Sequence, residues 1–208
     1  MSASIRVISI GTMASNPHWG ERGALRPAHA TTSLIVAGSA KILVDPSLLT
    51  HVFLTCLNPI HRRGLLAFDK AQWLVAERER EAIGVQLVAS LKEAHDAGDH
   101  DLAKTLSHEV AVIQRTVAAP DKLATGVDLF PLYGVTPGLC GLLLPSAGAT
   151  TLLAGDAVPT VEHLDAGQVM SPCFDLEAAR ESFSEAVEIA DWIVCGRDNM
   201  VPNLSRRM

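Results

Sequence analysis

No stretch of this 208-residue chain approaches the roughly 18 apolar residues in a row that a membrane-crossing helix needs, so no membrane partner is expected. Paired cysteines are missing too. Cys56, Cys140, Cys173 and Cys195 lie far apart without CxxC spacing, and with no export signal they read as reduced thiols rather than two disulfides. The opening run MSASIRVISIG alternates apolar residues but has no cleavage site after a hydrophobic core. It reads as a strand, not a signal peptide, and the expected compartment is the cytoplasm. A basic stripe is also lacking. The net charge is −6, and the two basic clusters, Arg62-Arg63 and Arg206-Arg207, are expected on solvated surface. Nucleic acid is therefore not an expected partner.

What is present is ordinary for a globular domain: 48% hydrophobic and 19% charged residues. The length fits a single domain over residues 1–208 with a sizeable core. Ile5 to Ile10 alternates as a first strand, and a long loop follows from Thr12 to Ala30. TTSLIVAGSAKILVDPS reads as two strands around Gly38-Ser39, closing on Asp45-Pro46. His51 to Thr55 and AQWLVA (Ala71 to Ala76) are further strands. From about Glu77 to Ala118 the apolar residues repeat every three to four positions, as in Ile83, Leu87, Leu91 and Ala94, then Leu102, Leu106, Val110, Ile113 and Val117. Gly98 suits the end of one helix and Asp99 the cap of the next, which predicts an αα-hairpin. Strands return at Val127 to Tyr133 and around Ser146-Ala147-Gly148; a helix capped by Asp175 runs to Ala190, and a last strand covers Trp192 to Cys195. Two apolar hairpins, Leu34 to Pro46 and Leu142 to Ala157, both finish on an Asp, Asp45 and Asp156. Two strand clusters with helical cover predict an α+β architecture of two packed sheets with helices outside.

The order of ILVDPS, FLTCLNPIHRRG, TPGLCGLLL, LLAGDAV and IVCGRDN resembles the metallo-β-lactamase fold superfamily, which includes glyoxalase II-like hydrolases and lactonases. The resemblance spans roughly Ile5 to Asn199 and implies an αββα sandwich of two mixed sheets, with the αα-hairpin of about residues 77–118 as an insertion. It also implies a metal site between the upper edges of the sheets. The family's first metal motif, HxHxDH, corresponds here to Cys56, Asn58, Ile60 and His61. The His after the TPG turn corresponds to Leu139, the bridging Asp to Asp156, and the last His to Arg197. Only His61 and Asp156 keep the family's ligand types.

Zinc favours about four ligands from imidazole, thiolate and carboxylate. If any metal is held, at low occupancy, Cys56, His61 and Asp156 are its ligands; otherwise no cofactor is expected. Arg197 donates only and repels a cation, but its guanidinium fork matches a carboxylate. It is expected to replace the metal as the partner of Asp156, with His61 nearby. The alternative has Arg197 in solvent and Asp156 capping a turn. Cys56 reads as a packed thiol, or beside His61 as an activated one; Cys140 and Cys195 read as packing residues. In the long loop, which carries His18, Trp19, Glu21 and Arg22, Arg26 and His29 are candidate substrate contacts. His95, His100 and His108 are expected as exposed helical positions.

Two functions lead, and a structural or oligomer-forming role through the αα-hairpin is the third. The first is a non-catalytic protein, a pseudoenzyme with a degenerate metal site, that binds an unknown small molecule. Without a metal there is no hydroxide of lowered pKa to attack a carbonyl. The second is a hydrolase of esters, thioesters or lactones with an atypical metal or Cys/His centre. The hairpin either shelters the pocket or forms a homodimer face, and the sequence does not choose.

Overall fold

A computed structural model describes residues 4–9, 15, 22–23, 32–37, 40–44 and 49–204. They fall into two compact units, Met1–Thr50 and His51–Met208. The first contains an antiparallel sheet of three strands, β1 (Ser4–Ser9), β2 (Thr32–Ala37) and β3 (Ala40–Val44). Ile5 pairs with Ile35, and Leu34 with Leu43, as the alternation at these positions predicts. The Gly38-Ser39 turn, Asp45-Pro46, and Arg26, His29, His18, Trp19 and Glu21 of the long loop lie outside the described residues, as does Arg206-Arg207.

The second unit carries two sheets. In one, β4 (His51–Leu54), β5 (Gln72–Val75) and β6 (Val117–Ala118) run parallel. Parallel neighbours need a crossover, and between β5 and β6 the αα-hairpin supplies it: α1 (Glu77–Asp96) and α2 (His100–Arg115). The hairpin forms where the sequence predicts. Gly98 adopts a positive φ of 71° just past α1, and the Asp99 carboxylate accepts the Leu102 N–H at 3.0 Å to start α2. Ile83 and Leu87 of α1 and Val112 and Ile113 of α2 close over Val52, Leu54, Trp73 and Val75 of the sheet. His95, His100 and His108 are exposed.

The larger sheet has six strands in the order β12-β11-β10-β9-β8-β7. They are β7 (Lys122–Ala124), β8 (Val127–Pro131), β9 (Cys140–Pro145), β10 (Thr150–Gly155), β11 (Trp192–Cys195) and β12 (Met200–Pro202). All neighbours are antiparallel except β10 and β11. Their crossover contains α3 (Val161–Ala166) and α4 (Leu176–Ile189). The Asp175 side chain caps α4 by accepting the Ala178 N–H. Ala179, Phe183 and Ala186 then bury against Leu152, Ala154 and Ile193, each large side chain contributing on the order of 2 kcal/mol.

The sequence reading misses β6, β7, β12 and α3, all short elements with two to six residues. It also carries the strand at Val127 two residues too far; the chain turns away after Pro131. Among the described residues no helix is long and apolar enough to cross a membrane, and all four cysteines are free.

Candidate functional site

The strands β4 and β5 run parallel, so the loop after β4 and the first turn of α1 emerge at the same sheet edge. That edge is where the FLTCLNPIHRRG loop forms. Its first residues are tied to the larger sheet, since the Cys140 N–H donates to the Thr55 carbonyl at 3.0 Å. Leu57 is then held from both sides. Its N–H donates to Glu79 Oε1 at 2.9 Å, and its carbonyl accepts from Arg62 Nε at 2.9 Å. Arg62 also pairs with Glu109, and its side chain is only 12% exposed. The expectation that Arg62 is a solvated surface charge is thus corrected: its guanidinium bridges the loop to α2. A turn at Asn58, where His61 N–H donates to the Asn58 carbonyl at 2.9 Å, brings the imidazole back toward the sheet edge.

Glu79 is the residue that sequence reasoning misses. It is fully buried, and its second oxygen accepts from Thr136 Oγ1 and from Gly138 N–H, both at 2.8 Å. One carboxylate therefore pins the loop after β4 to the TPG turn. Gly138 makes this possible, because a Cβ there would sit 2.1 Å from the Glu79 backbone nitrogen. In the sequence Glu79 stands in EREREAIG and looks like a solvated helix start. The available signal is its place just after a buried strand, at an edge where α/β sites gather.

Asp156 follows β10 and is fully buried. The CGRDN turn lies directly on it: Gly196 N–H and Arg197 N–H donate to the carbonyls of Val158 and Pro159 at 3.0 and 2.8 Å. From there Arg197 reaches Asp156 with two bonds, Nε to Oδ1 at 2.9 Å and Nη2 to Oδ2 at 2.8 Å. This is the bidentate fork. It removes the alternative in which Arg197 points away and Asp156 merely caps a turn.

His61 Nε2 lies 2.9 Å from Asp156 Oδ2. Asp156 and Cys56 push the His61 imidazole up to about 10, against the opposing effect of burial. Burial alone would raise Asp156, but His61 and Arg197 together hold it down at about 2. Arg197 in turn is raised by Asp156. Ligand atoms of Cys56, His61 and Asp156 all fall within 4.8 Å of one another.

The other positions separate. Leu139 is fully buried in the same apolar cluster as Cys56 and offers only an alkyl group. Ile60 is 39% exposed and contributes no polar atom. Asn58 lines a cavity of about 480 Å³ beside Arg197, with Pro159, Thr160, His163, Met170, Ser171 and Pro172. The sequence gives no signal for His163, because α3 is too short to show periodicity, nor for Met170 in the loop after it. Burial pushes the thiols of Cys140 and Cys195 up to about 11 each, in keeping with packing roles.

No protein-family profile and no curated protein matches the sequence. Solved structures do. A hydrolase of the β-lactamase superfamily, AbOPH, superposes with a TM-score of 0.53 at 18% identity, over 81% of this chain and 72% of that one. AidC, a dizinc quorum-quenching lactonase, gives 0.55 at 15% identity over 83% and 78%. The AiiA protein of B. thuringiensis, bound to N-decanoyl-L-homoserine, gives 0.52 at 22% identity over 74% and 58%.

Proposed function

Given that the chain has the metallo-β-lactamase fold, we propose that it is a non-catalytic small-molecule-binding protein whose metal centre is replaced by an arginine–aspartate pair. The observation that carries this reading is the pair of hydrogen bonds from Arg197 to the buried Asp156. A guanidinium occupies both carboxylate oxygens and brings a permanent positive charge to the place where a cation would sit.

The donor set does not fit a zinc site. Cys56, His61 and Asp156 supply three donors, too few for structural zinc and equal to the protein ligands of catalytic zinc, but Arg197 already occupies both oxygens of Asp156. One of the three already faces Arg197 and His61. Leu139 and Ile60 add no ligand atom, and Asn58 adds a weak amide. The four free thiols and the negative net charge suit a cytoplasmic protein.

The test is metal content by mass spectrometry on tag-free protein, prepared without chelator and again after zinc reconstitution. The expected result is well below one metal per chain in both samples. Near-stoichiometric zinc, iron or manganese would overturn the reading and favour hydrolysis.

The proximity of Cys56, His61 and Asp156 favours a second reading, a hydrolase of esters, thioesters or lactones that uses the thiol and imidazole directly. It requires an accessible nucleophile, and Cys56 is fully buried. Alkylation of the folded protein at neutral pH is therefore expected to label the half-buried Cys173 and to leave Cys56, Cys140 and Cys195 unmodified until denaturation. Rapid labelling of Cys56 in the native state would favour the hydrolase.

A further inference from the structure

We infer that the cavity beside Arg197 is a binding site for a small organic carboxylate with an apolar tail, held by the edge of the guanidinium that Asp156 leaves free. The inference rests on the reading above, in which Arg197 and not a metal fills the centre.

The geometry of one side chain sets the chemistry. Asp156 takes Nε and Nη2 of Arg197. Nη1, with its two hydrogens, is left on a side chain that is 39% exposed, and Arg197 lines the cavity. The end-on edge of a guanidinium is a second planar fork for a carboxylate. Because the first fork is locked on a buried partner, the second is already oriented, which lowers the ordering cost of binding.

Two further groups converge on the same space. Asn58 uses its Oδ1 to accept the Ile60 N–H at 3.4 Å, which turns the amide so that its NH2 remains as a donor. His163 has Nδ1 at 2.9 Å from Thr160 Oγ1, which fixes the ring and leaves Nε2 for a ligand. Asp198, next to Arg197 in the chain, accepts from the backbone N–H groups of Asn199 at 2.7 Å and Val161 at 3.3 Å.

The rest of the wall is Pro159, Met170 and Pro172, together with Thr160 and Ser171. The first three favour an apolar tail on the anion over a bare inorganic ion. A volume of about 480 Å³ suits a small metabolite-sized molecule.

The experiment is calorimetric titration of the full chain with hexanoate, with hexanol and inorganic phosphate as controls, followed by the same titration of Met170→Glu and Asn58→Leu. Saturable one-to-one binding of hexanoate below about 10 mM is expected, with both controls at least roughly tenfold weaker. Each variant, at unchanged melting temperature, is expected to lose on the order of tenfold in hexanoate affinity. Failure of hexanoate to saturate, equal binding of hexanol or phosphate, or full affinity in folded Met170→Glu would each overturn the inference. The metal measurement separates the two failures. Low metal with no anion binding removes this inference alone, whereas stoichiometric metal removes the reading on which it rests.

Discussion

Glu79→Ala is expected to lower the melting temperature by roughly 10 °C, corresponding to about 4 kcal/mol in a chain of this size. The carboxylate accepts from Leu57 N–H, Thr136 Oγ1 and Gly138 N–H. Its removal leaves two backbone donors and a hydroxyl without partners at a place sealed from water. Each orphaned group costs about 1–3 kcal/mol, and solvent entering the new cavity offsets part of the sum. Glu79→Gln should cost less, about 2 kcal/mol, because the amide oxygen can still accept one N–H while the NH2 group confronts the others. The alanine substitution also unpins the loop after β4 from the TPG turn, so His61 should lose its fixed separation from Asp156. Thermal unfolding measures the stability effect. A Glu79→Ala protein that melts within about 2 °C of the wild type would show that these three bonds do not hold the two loops together.

The contrast between Glu79 and Arg197 shows what can be read from the sequence and why. Apolar periodicity is a local property, and it locates the hairpin, the capped helix at Asp175 and most strands. The strand order and the five motifs carry the metallo-β-lactamase fold as well. Arg197 is legible because it stands in a motif position, where its charge can be weighed against that of Asp156. Glu79 is not, since its three partners are 22 to 59 residues away in sequence and its own neighbours are charged. Arg62 is hidden for the same reason: a basic pair in a polar loop looks solvated until α2 presents Glu109. The short elements α3 and β12 escape because a run of three to six residues has too few positions for a period to show.

Arg197→Met should destabilise the protein by about 2 kcal/mol near pH 6, a fall in melting temperature of roughly 5 °C. Breaking a wholly buried ion pair by removing one partner costs about 3–5 kcal/mol. The guanidinium is 39% exposed and His61 stays beside the carboxylate, so water and the imidazole screen part of the loss. A double-mutant cycle with Asp156→Asn isolates the pair, and a coupling of about 1–2 kcal/mol is expected. Its pH dependence has a definite sign. Asp156 is lowered from 3.8 to about 2, so its contribution is complete above pH 3.8 and disappears as the pH falls through 2. His61 is raised from 6.5 to about 10. Its contribution is complete below pH 6.5 and is lost as the pH rises through 10. Both act fully only between about pH 3.8 and 6.5. Denaturant titrations of the four proteins of the cycle should therefore show the coupling fade toward pH 2. In His61→Ala the deficit relative to wild type should fade instead toward pH 10. A coupling below about 0.5 kcal/mol at pH 6 would mean that Arg197 is not what stabilises the buried carboxylate. The case for an arginine in place of a metal would then fall with it.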